Sequence, residues 1–131
     1  MRSNHRRSKL AVVIEDDLAV SELLELLLRD EGYRVLVVPS LEDARRVVRR
    51  VRPSLITLDL CPYDARGLRV LEELTRAEGR HSVPILLISA EARSLPKSVQ
   101  SKVFRTIDKP FDIDEVIAAA EDALQIDPVP A

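Results

Sequence analysis

Five short apolar runs alternate with amphipathic helical patterns along the chain, and this alternation constrains its fold more than any other feature. The runs are Leu10–Ile14, Arg34–Val38, Ser54–Leu58, Val83–Ile88 and Val103–Ile107. Most are nearly continuous and rich in β-branched residues, as strands covered on both faces are. A strand–helix order repeated five times builds a parallel sheet with right-handed crossovers and helices on both sides. The expected fold is α/β, a doubly wound five-stranded (βα)5 sheet.

The helical patterns between the runs have readable faces and ends. Val20, Leu23, Leu24, Leu27 and Leu28 follow the i, i+3, i+4, i+7, i+8 spacing, and Gly32 supplies a C-terminal cap. Ser40 and Asp43 read as a capping box ahead of Ala44, Val47, Val48 and Val51, and Pro53 stops that helix. Leu68, Leu71 and Leu74 mark a third helix that ends near Gly79. Asp112 and Glu115 cap the last one, whose apolar face is Ile113, Val116, Ile117, Ala120 and Leu124. From Glu91 to Lys102 the pattern is weak. Leu95 and Val99 are spaced for a helix and Pro96 fits only its first turn, so a short, marginal helix is expected.

A chain of 131 residues suits a single domain, placed here at 9–125 between a basic, flexible tail at 1–8 and a second tail at 126–131. With 46% hydrophobic and 32% charged residues it falls outside the disordered class. No apolar run approaches the roughly 18–20 residues that cross a bilayer. The run behind the basic start, Leu10–Ile14, is too short for a signal peptide, so a cytoplasmic location is expected. The lone Cys61 excludes an internal disulfide and a multi-cysteine zinc site. A formal net charge of −2 offers no electrostatic reason to expect nucleic-acid binding.

Ligands of open α/β sheets bind beyond the carboxyl ends of the strands. There the first run delivers Glu15, Asp16 and Asp17, the third Asp59, the fourth Ser89 and the fifth Lys109 followed by Pro110. Carboxylates converging on one edge repel one another unless a cation neutralises them. An oxygen-only donor set favours Mg²⁺. An ammonium and a hydroxyl beside that ion suit a phosphoryl group whose oxygens gain charge during transfer. Asp59 is then the natural nucleophile, giving an aspartyl phosphate.

Four pieces in this order carry a resemblance: Val12-Val-Ile-Glu-Asp-Asp17, Leu55-Ile-Thr-Leu-Asp59 with Gly67 eight residues on, Ile85-Leu-Leu-Ile-Ser-Ala-Glu91, and Lys109-Pro-Phe111. Over about residues 9–125 the chain resembles the receiver (chemotaxis-regulator-like) domains of bacterial two-component response regulators. The resemblance implies a flavodoxin-like sheet of order 2-1-3-4-5 and a phosphoacceptor at Asp59. It implies Mg²⁺ on Asp16 and Asp59 directly, on Glu15 chiefly through water, and on the backbone carbonyl of Cys61. Ser89 and Lys109 would contact phosphoryl oxygens, Asp17 would cap the first helix, and the Lys109–Pro110 bond matches a position often cis. Cys61 and Glu91 would flank the path of the water that removes the phosphoryl group.

The family's switch pairs the Ser89 position with an aromatic three residues before the lysine. Here that place holds Thr106, with Phe104 as the nearest aromatic. The implied partners are a histidine kinase or histidine phosphotransfer protein and a downstream protein. Neither DNA nor membrane contact is expected. The implied output surface, open also to homodimerisation, is the short Pro96 helix, the fifth strand and the last helix. Such a chain is an acceptor that phosphorylates and dephosphorylates itself, not a turnover enzyme. A receiver-like interaction module without phosphorylation is the alternative.

Other chemistries fit less well. Four residues and no glycine separate Cys61 from Arg66, where a low-molecular-weight tyrosine phosphatase needs five residues in a phosphate loop. A haloacid-dehalogenase-type phosphatase places a second Asp two residues after the first, where this chain has Cys61. The Glu-Asp-Asp turn lacks the glycines of a dinucleotide-binding fold.

Overall fold

The computed structural model describes residues 9–60, 64–75 and 83–125. Five strands, β1 (Lys9–Ile14), β2 (Tyr33–Val38), β3 (Leu55–Leu58), β4 (Ile85–Ser89) and β5 (Arg105–Asp108), form one sheet. All pairs are parallel and the order is β2-β1-β3-β4-β5. The helices are α1 (Leu18–Asp30), α2 (Leu41–Val51), α3 (Ala65–Thr75), α4 (Lys97–Gln100) and α5 (Ile113–Leu124). The fold is the parallel α/β sheet that the alternation of runs implies, in the flavodoxin-like strand order that the resemblance implies.

Side chains alternate between the faces of a strand, and the sheet uses this to build two cores. Val12, Ile14, Ile56, Leu58, Ile85 and Leu87 face one way and pack with Ala44 of α2, Val70, Leu71 and Leu74 of α3, and Val99 of α4. Ala11, Val13, Leu55, Leu86, Ile88 and Ile107 face the other way and pack with Leu24 and Leu28 of α1 and Val116, Ala119, Ala120 and Ala123 of α5. The near-continuous apolar runs reflect this double coverage.

Local chemistry sets most of the ends. Asp17 caps α1 by accepting from the Val20 N–H at 3.1 Å, and Gly32, at φ +98°, turns the chain beyond the helix. Ser40 accepts from the Asp43 N–H at 3.1 Å, but the return half of the capping box is missing. Asp43 bonds Arg46 at 3.1 Å instead, its side chain being one methylene shorter than the Glu that usually closes the box. At α5, Asp112 accepts from the Asp114 N–H at 3.0 Å, while Glu115 bonds Arg93 rather than the cap.

Three expectations need correction. The segment after β4 is two pieces, a 3₁₀ turn at Ala92–Ser94 and the single turn of α4. Leu95 between them is extended at ψ 158°, as a residue before proline prefers, so Leu95 and Val99 do not share a helix. β5 starts at Arg105, two residues later than the apolar run, and Phe104 precedes it. On α5 the buried face is Val116, Ala119, Ala120 and Ala123, whereas Ile113 is 45% exposed. The expected end of α3 near Gly79, and the tails at 1–8 and 126–131, lie outside the described residues.

Candidate functional site

Backbone bonds past the strand ends align the first acids. The Glu15 N–H donates to Val38 O at 3.2 Å and the Asp59 N–H to Ile14 O at 3.3 Å, so the ladders run on beyond β1 and β3. Glu15 is only 4% exposed, and the Asp59 side chain 11%. Asp16, one residue on, is exposed at the rim. Oxygens of Glu15, Asp16 and Asp59 lie within 4.8 Å of one another. Asp17 is engaged in capping α1.

Lys109 enters this cluster from the end of β5. Its Nζ donates to Glu15 Oε1 at 3.0 Å and to Asp59 Oδ2 at 2.9 Å. Its backbone N–H donates to Ser89 O at 3.0 Å, which ties it to the end of β4, and its bond to Pro110 is cis. Ser89 is buried there.

Burial pushes Glu15 above the ordinary glutamate range. The Lys109 hydrogen bond and the Asp17 N–H, which meets Oε2 at 3.2 Å, oppose this, and the Asp59 charge adds to it. Burial pulls Lys109 down, but its hydrogen bonds to Asp59 and Glu15 and their charges outweigh this and hold it above its usual value. One ammonium among several carboxylates stays charged, and the carboxylates carry the surplus.

Three carboxylates against one ammonium leave two negative charges uncompensated. Asp59 Oδ1 is buried and has no hydrogen-bond partner among the described residues. Leaving a buried polar atom unsatisfied costs about 1–3 kcal/mol, more if it is charged. A hard divalent cation meets both deficits, and carboxylate oxygens are the donors Mg²⁺ takes. The residues present therefore fit a Mg²⁺ ion.

A cleft of about 760 Å³ opens over these acids. Pro39, Ser40, Glu42 and Arg45 form one wall, and Arg66, Arg69 and Val70 of α3 form the other. Arg45 is paired with Glu73 at 2.6 Å.

The remaining expected residues are placed as follows. Glu91 is exposed in the turn after β4, with no side-chain cap bond to the 3₁₀ turn. Thr106 is half-buried and sits in register with Leu87. By the two-residue alternation of a strand Phe104 would share the face of Thr106; it packs instead with the core that Ile107 joins, because it precedes the strand and the alternation does not reach it. Cys61, with its expected carbonyl ligand, lies outside the described residues.

Sequence reasoning weighed Arg66 only as the arginine of a phosphatase loop, and passed over Arg69 and Arg93. The Arg93 N–H donates to Asp108 Oδ1 at 2.9 Å, and its guanidinium reaches Glu115 Oε2 at 2.6 Å. A separation of 22 positions between Arg93 and Glu115 leaves no sequence signal for that contact. Arg66 and Arg69 at least share i, i+3 spacing.

Comparison with known proteins agrees with the fold. Residues 11–121 match the family model described as "Response regulator receiver domain". The chain is 30% identical over 125 residues to the transcriptional regulatory protein GlrR of Escherichia coli K12, covering 93% of this chain and 27% of that protein. It is 31% identical over 109 residues to the DNA-binding response regulator MtrA of Mycobacterium tuberculosis H37Rv, covering 82% of this chain and 46% of that one. The chain thus spans between about a quarter and a half of these relatives. The non-phosphorylated receiver domain of HemR from Leptospira biflexa superposes with a TM-score of 0.79 at 23% identity, covering 94% of this chain and 99% of that one. A CheY-like receiver domain from Methylobacillus flagellatus gives 0.74 at 24% identity, covering 91% and 98%. Among the described residues no helix is long and apolar enough to cross a membrane. The stretch matched by the family runs through every strand that contributes to the acidic edge, and the chain belongs to the response regulator receiver domains of two-component systems.

Proposed function

We propose that this receiver accepts a phosphoryl group on Asp59 from a histidine kinase or histidine phosphotransfer protein. The observation that carries the reading is the asymmetry of the Asp59 carboxylate: Lys109 holds Oδ2, while Oδ1 is buried without a partner among the described residues. A carboxylate oxygen attacks phosphorus, and the donor nitrogen leaves with the electron pair of the broken P–N bond. Lys109 and Ser89 stabilise the charge that grows on the phosphoryl oxygens. Glu15, Asp16, Asp59 and the backbone carbonyl of Cys61 would hold Mg²⁺, which neutralises the same oxygens when bound. Glu91 and Cys61, the second residues after Ser89 and Asp59, tune the hydrolysis of the acyl phosphate, and the chain acts as an acceptor without turnover.

Output passes to a downstream protein through α4, β5 and α5, a face also suited to homodimerisation, with Ser89 and Thr106 along the route. The named relatives are transcriptional or DNA-binding regulators. The reading gives residues 9–125 no DNA or membrane contact of their own and places them in the cytoplasm, where kinase and receiver meet.

Incubation with acetyl phosphate and Mg²⁺ tests the assignment. The wild type should take up one phosphoryl group and Asp59→Asn none, because an amide is a far poorer nucleophile. Equal uptake by the Asn variant would refute it.

A further inference from the structure

We propose that Arg66 and Arg69 select phosphoryl donors whose leaving group is an anion. The inference rests on Asp59 being the acceptor, and concerns how the donor is held in the cleft before it.

Both arginines line the cleft that also contains Asp59, and both are exposed. They stand three residues apart on α3, a spacing that puts side chains on one helix face with Cβ atoms about 5–6 Å apart. Neither forms an ion pair within 4.0 Å among the described residues, although Arg45 on the opposite wall is paired with Glu73. Like charges at this spacing repel, so the pair stands at a small cost that an anion between them would remove.

Neighbouring acids are accounted for. Asp64 Oδ1 accepts the Gly67 N–H at 2.9 Å and caps the helix. Glu73 is taken by Arg45. Glu42 faces the cleft from the α2 wall and forms no ion pair with either arginine. The cleft therefore has an acidic floor that takes a cation and a basic wall beside it. A volume of about 760 Å³ admits a small donor whose phosphoryl end meets Asp59 while its other end meets the guanidinium groups.

Guanidinium groups hold carboxylates through paired N–H donors. When an acyl phosphate reacts, the Asp59 oxygen bonds phosphorus and the phosphorus–oxygen bond to the acyl group breaks. The carboxylate leaves with that electron pair and a full negative charge, which Arg66 and Arg69 receive. Phosphoramidate transfers the same group but releases neutral ammonia, giving the arginines nothing to hold.

The decisive comparison is the phosphorylation rate constant of the wild type and of Arg66→Gln/Arg69→Gln, with acetyl phosphate and with phosphoramidate, each with Mg²⁺. The double variant should lose about tenfold with acetyl phosphate, the scale of one charge-assisted contact, and stay within about twofold with phosphoramidate. The wild-type acetyl phosphate rate should also fall more steeply with salt than the variant's. Beryllofluoride, which has no leaving group, should bind both proteins equally and shows the site to be intact. A parallel loss on both donors, no loss on either, or weakened beryllofluoride binding overturns the proposal. If the wild type accepts phosphoryl from neither donor, the Asp59 assignment falls and takes this proposal with it. Uptake that is equal in wild type and variant removes the arginines' role alone.

Discussion

At Lys109 one side chain holds together two acids that would otherwise repel. Its ammonium is 2.9 Å from Asp59 and 3.0 Å from Glu15, and Glu15 has almost no access to water. Removing one partner of a buried pair leaves an uncompensated charge, a larger loss than the pair's net worth. Lys109 is 21% exposed, which tempers the penalty. In the absence of divalent cations, Lys109→Ala should lower unfolding free energy by about 1–3 kcal/mol, read by urea denaturation. Asp16→Asn, at an exposed position, should change it by less than about 0.5 kcal/mol yet weaken Mg²⁺ binding severalfold in a calorimetric titration. Unchanged Mg²⁺ affinity in that variant would remove Asp16 from the ligand set. Glu15 and Asp59 were legible in the sequence because each follows an apolar run directly, where an ionised group is costly unless paired; Lys109, one residue further past its run, was legible from the Lys109-Pro-Phe111 motif. Arg66 and Arg69 were not, because exposed arginines on a helix look alike until a cleft is seen beside them.

The elements after β4 depart most from what periodicity suggests. Proline imposes the break in the Glu91–Lys102 stretch, and Arg93 then fastens the first piece to its surroundings. The Arg93 N–H and guanidinium bind Asp108 and Glu115, and Arg93 O accepts from Gln100 Nε2 at 3.1 Å. Asp108 immediately precedes Lys109, so this loop and the acidic edge share a strand end. With Thr106 too small for a large rotamer exchange, movement of residues 90–107 as backbone is the expected response to phosphorylation. Exposed ion pairs contribute up to about 1 kcal/mol each, so Arg93→Ala should speed amide exchange across residues 90–95 and 105–108 by up to about fivefold. Beryllofluoride with Mg²⁺ should alter exchange in the same residues of the wild type. Changes confined to Asp59 and its loop would count against this route. On α5, weighting by large aliphatics favoured Ile113, whereas the structure exposes it and buries Ala119 and Ala123 beside the expected Val116 and Ala120. Small residues allow the helix to lie close to the sheet and α1.

Across the molecule, Tyr33 supplies a long-range polar tie within the core that α1 and α5 cover. From the first residue of β2 its hydroxyl donates to Ala120 O of α5 at 3.2 Å, joining an edge strand to the last helix. Burial, with a smaller push from the Glu31 charge, raises its pKa from 10.0 to about 12. Between those values the unfolded chain has lost a proton that the folded one keeps. Stability from this group is therefore complete below pH 10 and declines as pH rises towards 12. The decline amounts to at most roughly 2–3 kcal/mol. Tyr33→Phe should lose about 1 kcal/mol at neutral pH with the hydrogen bond, and then show a shallower alkaline fall. Parallel curves for the two proteins between pH 10 and 12 would show that Tyr33 does not carry the effect.

The sequence by itself determined the layer order, the parallel sheet and the residues at its carboxyl edge. These follow from local rules: two-sided burial makes apolar runs continuous, and acids directly after such runs must find partners. Tertiary structure alone decided which oxygen of Asp59 Lys109 holds, what Arg93 clasps, and that Arg66 and Arg69 line the cleft of the acceptor. Each of these depends on where separate elements come to rest against one another. Pairs such as Lys109 with Asp59, 50 residues apart, leave no periodic trace in the chain. Only packing sets the distance between their charges, and that distance decides their chemistry.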